Sequence, residues 1–169
     1  SGETTIGRYP TKCVEILDRI ARSTESSRGL QFSDNLTLEN DKQHIARAAV
    51  DLAESISAKA IIVPTRRGRM ANWVTNCHPQ QPIICAFTND SRTRRQLVLN
   101  RNVLSYRIKF SSDPEKTLAS AAAIMLLRDE FTPEDRVVVI SDALAGAGIE
   151  AIQIRMIGDL LTPNETADA

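Results

Sequence analysis

Four short apolar runs, separated by stretches with helical spacing, constrain the fold more than any other feature of this 169-residue chain. They lie at residues 60–63, 82–87, 103–108 and 136–141. An apolar run without alternation suits a strand buried on both faces, and such strands occur in parallel sheets covered by helices on both sides. The segments between them read as helices. Over 39–58 the apolar positions Ile45, Ala48, Ala49, Leu52, Ala53 and Ile56 recur at three and four, with Glu39 and Asp41 in the first turn. A second helix spans about 68–76 and stops at His78-Pro79; a third, short one is capped by Asn89 or Asp90 and runs to Leu97. Ser112-Asp113-Pro114-Glu115 opens a fourth, whose stripe is Leu118, Ala121, Ala122, Met125 and Leu126. Residues 149–157 then alternate, with Ile152, Ile154 and Met156 on one face and Gln153 and Arg155 on the other, which fits a one-sided antiparallel strand at a sheet end. The expected fold is therefore α/β: a three-layer α/β/α sandwich around a five-stranded, mostly parallel sheet with an antiparallel last strand.

Ahead of this unit stand a polar lead, residues 1–8, and a helix opened by Pro10 with Cys13, Val14, Leu17, Ile20 and Ala21 at helical spacing. Residues 22–38 are polar, lack a sustained period and read as the connector that marks the main domain boundary. The length suffices to bury roughly two thirds of the unfolded surface, so no disulfide or metal staple is needed. Cys13, Cys77 and Cys85 are odd in number, far apart and without zinc spacing, so they are expected to be reduced thiols of a cytoplasmic protein. Cys85, within an apolar run, should be inert, and Cys77 should be the more exposed thiol. No apolar run approaches 18 residues and no signal pattern opens the chain, so no membrane association is expected.

The net charge of zero conceals an uneven distribution. Residues 60–110 hold eight arginines and one lysine against Asp90 alone. With little aromatic interleaving, this favours a small phosphorylated ligand or an acidic interface over nucleic acid. The charge begins at Thr65-Arg66-Arg67-Gly68-Arg69-Met70, directly after the first apolar run. A helix start there would present unpaired N–H groups and about half a positive charge, and arginine adds forked donors matched to phosphate. In wound sheets ligands gather beyond the carboxyl ends of the strands, where this turn and the turn at 141–148 both leave. Solvated arginines on an ordinary surface turn are the competing interpretation. His44 and His78 have no partners at metal spacing, and Trp73 is expected to be a packing residue able to report ligand binding by fluorescence.

The order of several motifs adds a family. Ser1-Gly2-Glu3-Thr4 followed by Gly7-Arg8-Tyr9-Pro10 resembles the Ser-Gly-Glu-Thr…Gly-x-Tyr-Pro signature of pyruvate kinase. Ala58-Lys59-Ala60-Ile61-Ile62-Val63 with Thr65, Gly68 and Ala71 is similar to that family's Ala-Lys-Ala-Ile-Ile-Val…Thr-x-x-Gly segment. Thr88, Asn89, Thr93, Arg95, Gln96 and Leu97 resemble its Thr-x-Asn-x-x-Thr-x-Arg-Gln-Leu helix start. The resemblance implies that residues 1–27 are the end of a catalytic (β/α)8 barrel, so that the first helix is left from a TIM barrel. Residues 28–36 would then be a linker, 37–160 a carboxy-terminal regulatory domain and 161–169 a polar tail. It also implies a phosphotransferase that converts phosphoenolpyruvate and ADP to pyruvate and ATP with Mg2+ and K+, and that assembles as a homotetramer. The lysine and acidic residues of that chemistry belong to barrel segments that would precede Ser1. The fragment alone is thus expected to carry no catalytic residue, cofactor or metal, and Glu3 is assigned to loop capping or barrel packing.

The family's effector phosphate is held by the turn after the first regulatory strand, which maps onto Thr65, Arg66, Arg67, Gly68, Arg69 and Met70. Thr65 would offer a hydroxyl, Gly68 a close backbone approach and the arginines charge-assisted bonds. The second half of the site maps onto the glycine-rich turn Leu144, Ala145, Gly146, Ala147, Gly148 and Ile149. Met70 replaces the commoner Ser or Thr, Leu144 and Ala145 stand where effector-responsive animal enzymes carry Arg and Pro, and Glu150 adds a negative charge. A sugar phosphate or a nucleotide remains as the expected effector class. A stand-alone phosphate-binding α/β module is the alternative, against which the motif at residues 1–10 counts. A hydrolase or reductase lacks its Gly-x-Ser-x-Gly or Gly-x-Gly-x-x-Gly loop.

Overall fold

The computed structural model describes residues 2–25, 36–142 and 150–161. In chain order the elements are α1 (Gly2–Ile6), α2 (Pro10–Glu25), α3 (Asp41–Ser55), β1 (Ala60–Pro64), α4 (Arg69–Asn76), β2 (Ile83–Thr88), α5 (Ser91–Leu97), β3 (Val103–Arg107), α6 (Pro114–Met125), β4 (Arg136–Asp142) and β5 (Glu150–Met156). A 3-10 turn, Gly158–Leu160, follows. The chain divides into two compact units between Leu36 and Thr37.

In the first unit the polar lead forms α1. Five residues are too few for a periodic signal, and a contact with the residues that follow holds them. Glu3 Oε1 accepts the Tyr9 N–H at 2.8 Å, and a side chain at Gly7 would run into the Glu3 backbone. Glu3 is a loop-capping carboxylate, as its position suggested. The connector expected from residue 22 also starts later, because α2 continues to Glu25. Its last turn is held by the Arg22–Asp18 ion pair at 2.8 Å and by the Thr24 hydroxyl donating to the Ile20 carbonyl. No residue of α1 or α2 is buried, and Val14, Ile16, Leu17 and Ile20 of α2 are exposed.

The second unit is built around one sheet in the order β3-β2-β1-β4-β5. β1 pairs in parallel with β2 and β4, β2 pairs in parallel with β3, and β5 closes the sheet antiparallel to β4. Alternate residues of the central strands feed two cores. Ile61, Val63, Ile84, Ala86, Val138 and Ile140 pack with α3 and α4, whereas Ala60, Ile62, Cys85, Phe87, Val137 and Val139 pack with α6, Phe131 and Leu160. This is the expected three-layer sandwich, and it explains why the strands read as unbroken apolar runs: both faces are covered.

Two details differ from the sequence expectation. In α3 the fully buried residues are Ala46, Ala49, Val50 and Ala53, while Ala48 is exposed and Ile45, Leu52 and Ile56 are half-buried. An alanine-rich helix leaves its inward face ambiguous by one step of 100°, and close packing on the sheet selects the smallest residues. In β5 Ile152 meets the α3–α4 core, but Ile154 is 50% exposed and Met156 is also exposed. Cys77 also corrects its assignment: it is 5% exposed and packs in the α3–α4 core. Burial pushes its thiol up and that of Cys85 up to about 12, so both are inert as nucleophiles near neutral pH.

Candidate functional site

β2 and β3 lie to one side of β1 and β4 lies to the other, so the sheet reverses its winding between β1 and β4. Crevices in wound sheets open at that reversal, beyond the carboxyl ends of the strands. A cavity of about 520 Å³ occupies this place. Its wall comprises Pro64 of β1, Thr65, Arg66 and Arg67 of the following turn, Arg69, Met70 and Trp73 of α4, Lys42 of α3, and Ile140 and Ser141 of β4.

The turn is fixed by bonds that its sequence dictates. The Thr65 N–H donates to the Phe87 carbonyl at 2.7 Å, extending the strand pairing by one residue, and the Thr65 hydroxyl accepts the Gly68 N–H at 3.1 Å. The Arg66 carbonyl faces the hydroxyls of Thr88 and Thr93, both at the long distance of 3.4 Å. Gly68 adopts φ +76°, in the left-handed region that favours glycine. A Cβ there would lie 3.3 Å from Leu97 Cδ2 and Thr93 Cγ2. Gly68 is buried against α5, and its conformation shapes the turn.

The turn ends at an unusual helix start. α3, α5 and α6 are capped by the side chains of Asn40, Asp90 and Asp113, whereas α4 has Gly68 at its cap and no side-chain bond. Its first intrahelical contact is the Asn72 N–H to the Gly68 carbonyl at 3.0 Å, so the N–H groups of the first turn have no intrahelical acceptor. Arg66, Arg67 and Arg69 are exposed around this end, and none forms an ion pair among the described residues. Uncompensated donors, a positive helix end and three guanidinium groups around one concavity favour an oxyanion.

Five of the six residues assigned to the first half of the site, Thr65, Arg66, Arg67, Arg69 and Met70, therefore meet at the cavity. Leu144, Ala145, Gly146, Ala147, Gly148 and Ile149 lie outside the described residues. Sequence reasoning brought the turns at 64–69 and 141–148 to one place, which covers Pro64 and Ser141, but it did not place Lys42 or Ile140 there and gave Trp73 a packing role from which it could report ligand binding. Trp73 does pack against the core, but it stands four residues after Arg69 on the same helical face, which was the available signal. Lys42 carried none, since only the fold brings the start of α3 beside β1.

Residues 43–152 match the family described as pyruvate kinase, alpha/beta domain. The chain is 28% identical over 158 residues to pyruvate kinase isozyme A, chloroplastic, of Nicotiana tabacum, covering 85% of this chain and 26% of the relative. It is 35% identical over 133 residues to plastidial pyruvate kinase 3, chloroplastic, of Arabidopsis thaliana, covering 77% and 23%, and 26% identical over 162 residues to a pyruvate kinase of Corynebacterium efficiens, covering 94% and 34%. A crystal structure of a pyruvate kinase from Cryptosporidium parvum shares the fold with a TM-score of 0.79 at 22% identity, covering 93% of this chain and 32% of that one. The chain thus spans about a quarter to a third of these relatives. With a wound sheet of the matching fold and a family match over most of its length, the chain belongs to the pyruvate kinase family, of which residues 43–152 form the alpha/beta domain.

Proposed function

We propose that this chain acts as the carboxy-terminal regulatory part of a longer pyruvate kinase, binding a phosphorylated effector in the cavity between β1 and β4. The observation that carries the reading is the uncapped start of α4, ringed by three arginines without acidic partners among the described residues and opening into a cavity at the reversal of the sheet. In this reading Arg66, Arg67 and Arg69 supply charge-assisted bonds, and the first turn of α4 supplies backbone donors. Residues 1–27 are then the end of the catalytic barrel and 28–36 the linker. The intact enzyme converts phosphoenolpyruvate and ADP to pyruvate and ATP as a cytoplasmic homotetramer, with Mg2+ and K+ supplied to the barrel. Among the described residues no three His, Cys, Asp or Glu side chains stand together as metal ligands. Native protein recovered in an organelle fraction would remove the cytoplasmic setting from the proposal.

Thermal unfolding of the purified chain over a series of inorganic phosphate and sugar phosphates tests the site, since a ligand at a hundred times its Kd adds about 2.7 kcal/mol. A rise in Tm that disappears in R66Q/R67Q/R69Q supports the proposal. A Tm unmoved by every compound refutes it. Pyruvate formation by the purified chain alone, given substrate and Mg2+, would overturn the assignment of catalysis to the missing barrel.

A further inference from the structure

β3 is the last strand of the sheet on its side and pairs with β2 alone. The Ile84 N–H donates to the Asn102 carbonyl and the Ile108 N–H to the Thr88 carbonyl, both at 2.9 Å, so the even-numbered residues turn their backbone groups toward β2. In a parallel pair the intervening residues point the other way, and the N–H and C=O groups of Val103, Ser105 and Arg107 line the free edge. Such a row is a template for a further strand.

The two sides of this edge differ chemically. On one side the Ser105 hydroxyl donates to the Arg94 carbonyl and the Arg107 guanidinium to the Ser91 hydroxyl, both at 2.9 Å, so these side chains lie toward α5. There α5 brings Arg92, Arg94 and Arg95, exposed as Arg107 is. On the other side Leu104 and Tyr106 are half-buried against the α6 core. Residues 91–110 hold five arginines and one lysine and no acidic residue, and none of these cations forms an ion pair among the described residues. The adjoining Asp90 carboxylate already accepts the Thr93 N–H.

We propose that this edge docks an extended acidic segment of another protein, added to the sheet beyond β3, with carboxylates alternating toward α5 and apolar side chains toward Leu104 and Tyr106. An added strand lies about 4.8 Å from β3, and its main-chain bonds supply affinity while the alternating side chains supply selectivity. Nucleic acid has no backbone that matches alternating N–H and C=O groups. A second copy of β3 matches them, but twofold pairing would set both groups of α5 arginines on one face, where like charges repel. The proposal is independent of the effector reading, since the cavity lies between β1 and β4.

The test titrates the purified chain by calorimetry with a capped peptide of alternating glutamate and valine, its lysine–valine counterpart, a glutamate–proline peptide of equal charge and a single-stranded RNA oligonucleotide. The glutamate–valine peptide should bind at one site, at least about tenfold more tightly than each of the others and more weakly as salt is raised. R92Q/R94Q/R107Q should weaken it by about tenfold or more, whereas R66Q/R67Q/R69Q should leave it within about twofold. S105P removes one outward N–H without breaking the pairing with β2 and should abolish binding, and S105A should retain it. Should S105P fail to fold, the same peptide methylated at its backbone nitrogens takes its place and should not bind. No binding of the glutamate–valine peptide, equal binding of the proline peptide, tighter binding of RNA or full affinity in R92Q/R94Q/R107Q overturns the proposal. Self-association of the chain that S105P removes would assign the edge to a second copy and overturn it as well.

Discussion

β1 and β2 are neighbouring parallel strands, with Pro64 in register with Phe87, and each ends in a turn that starts a basic helix. The two turns handle the helix start in opposite ways. After β2, the Asp90 carboxylate accepts the Thr93 N–H at 2.6 Å, and that bond holds the Asp90 carboxyl below its usual range. After β1, the corresponding place is held by Gly68, which has no side chain to offer, and the helix begins with its donors free. At α5 the chain supplies its own anion; at α4 the place is left to one from outside. The basic residues alone do not separate the two, since Arg92, Arg94 and Arg95 of α5 are as exposed as the arginines of the β1 turn. What differs is the missing cap, together with the cavity that the α4 start adjoins.

The largest effect should come from forcing a side chain into the uncapped turn. Gly68→Val places a β-branched residue at φ +76° with its Cβ pressed on Leu97 and Thr93, and should cost about 1–3 kcal/mol in urea unfolding while abolishing the response to phosphate. Next comes charge. R66Q/R67Q/R69Q should weaken phosphate binding by about tenfold or more in calorimetry. Its stability should stay within about 0.5 kcal/mol of the parent, because no ion pair among the described residues is lost. R92Q/R94Q/R95Q on α5 should change phosphate affinity by less than about twofold, because exposed charges at a distance are screened by salt. Equal losses from the two triple variants would dissolve the distinction between the turns.

The smallest effect is the acid behaviour of Asp90. Its folded-state pKa is depressed, so its contribution to stability is present above the ordinary value of 3.8 and is lost as pH falls through the folded value. D90N keeps a side-chain cap but cannot titrate there, so its stability should vary less with pH over that acid range, measured by chemical unfolding at successive pH values. A steeper acid dependence in D90N would contradict the role given to this cap.

How much of this was legible beforehand follows from the kind of signal each part carries. Strands covered on both faces announce themselves as apolar runs, and the starts at Asp90 and Asp113-Pro114 announce themselves by capping chemistry, so the layers, the helix positions and the antiparallel last strand could all be read. The basic turn was equally visible, because charge and glycine mark it directly. The burial of Cys77 was not, since it depends on how α4 settles against α3. The turn that begins at Ser141 was placed beside the basic turn by the rule for wound sheets, but Ile140 was not, since it reaches the cavity through the pairing of β4 with β1 at Ala60–Val137 and onward. Gly68 shows a subtler limit. Its identity could be read but its role could not, for the sequence does not show that α5 fills the space where a side chain would go.

The central claim is that the start of α4 is an open anion site. Isothermal titration of the purified chain with inorganic phosphate, at two salt concentrations and repeated on R66Q/R67Q/R69Q, tests it most directly. The account predicts one site per chain, weaker binding at the higher salt and binding lost in the triple variant. Phosphate binding that survives neutralisation of all three arginines, or no heat of binding in the parent chain at either salt concentration, would contradict it.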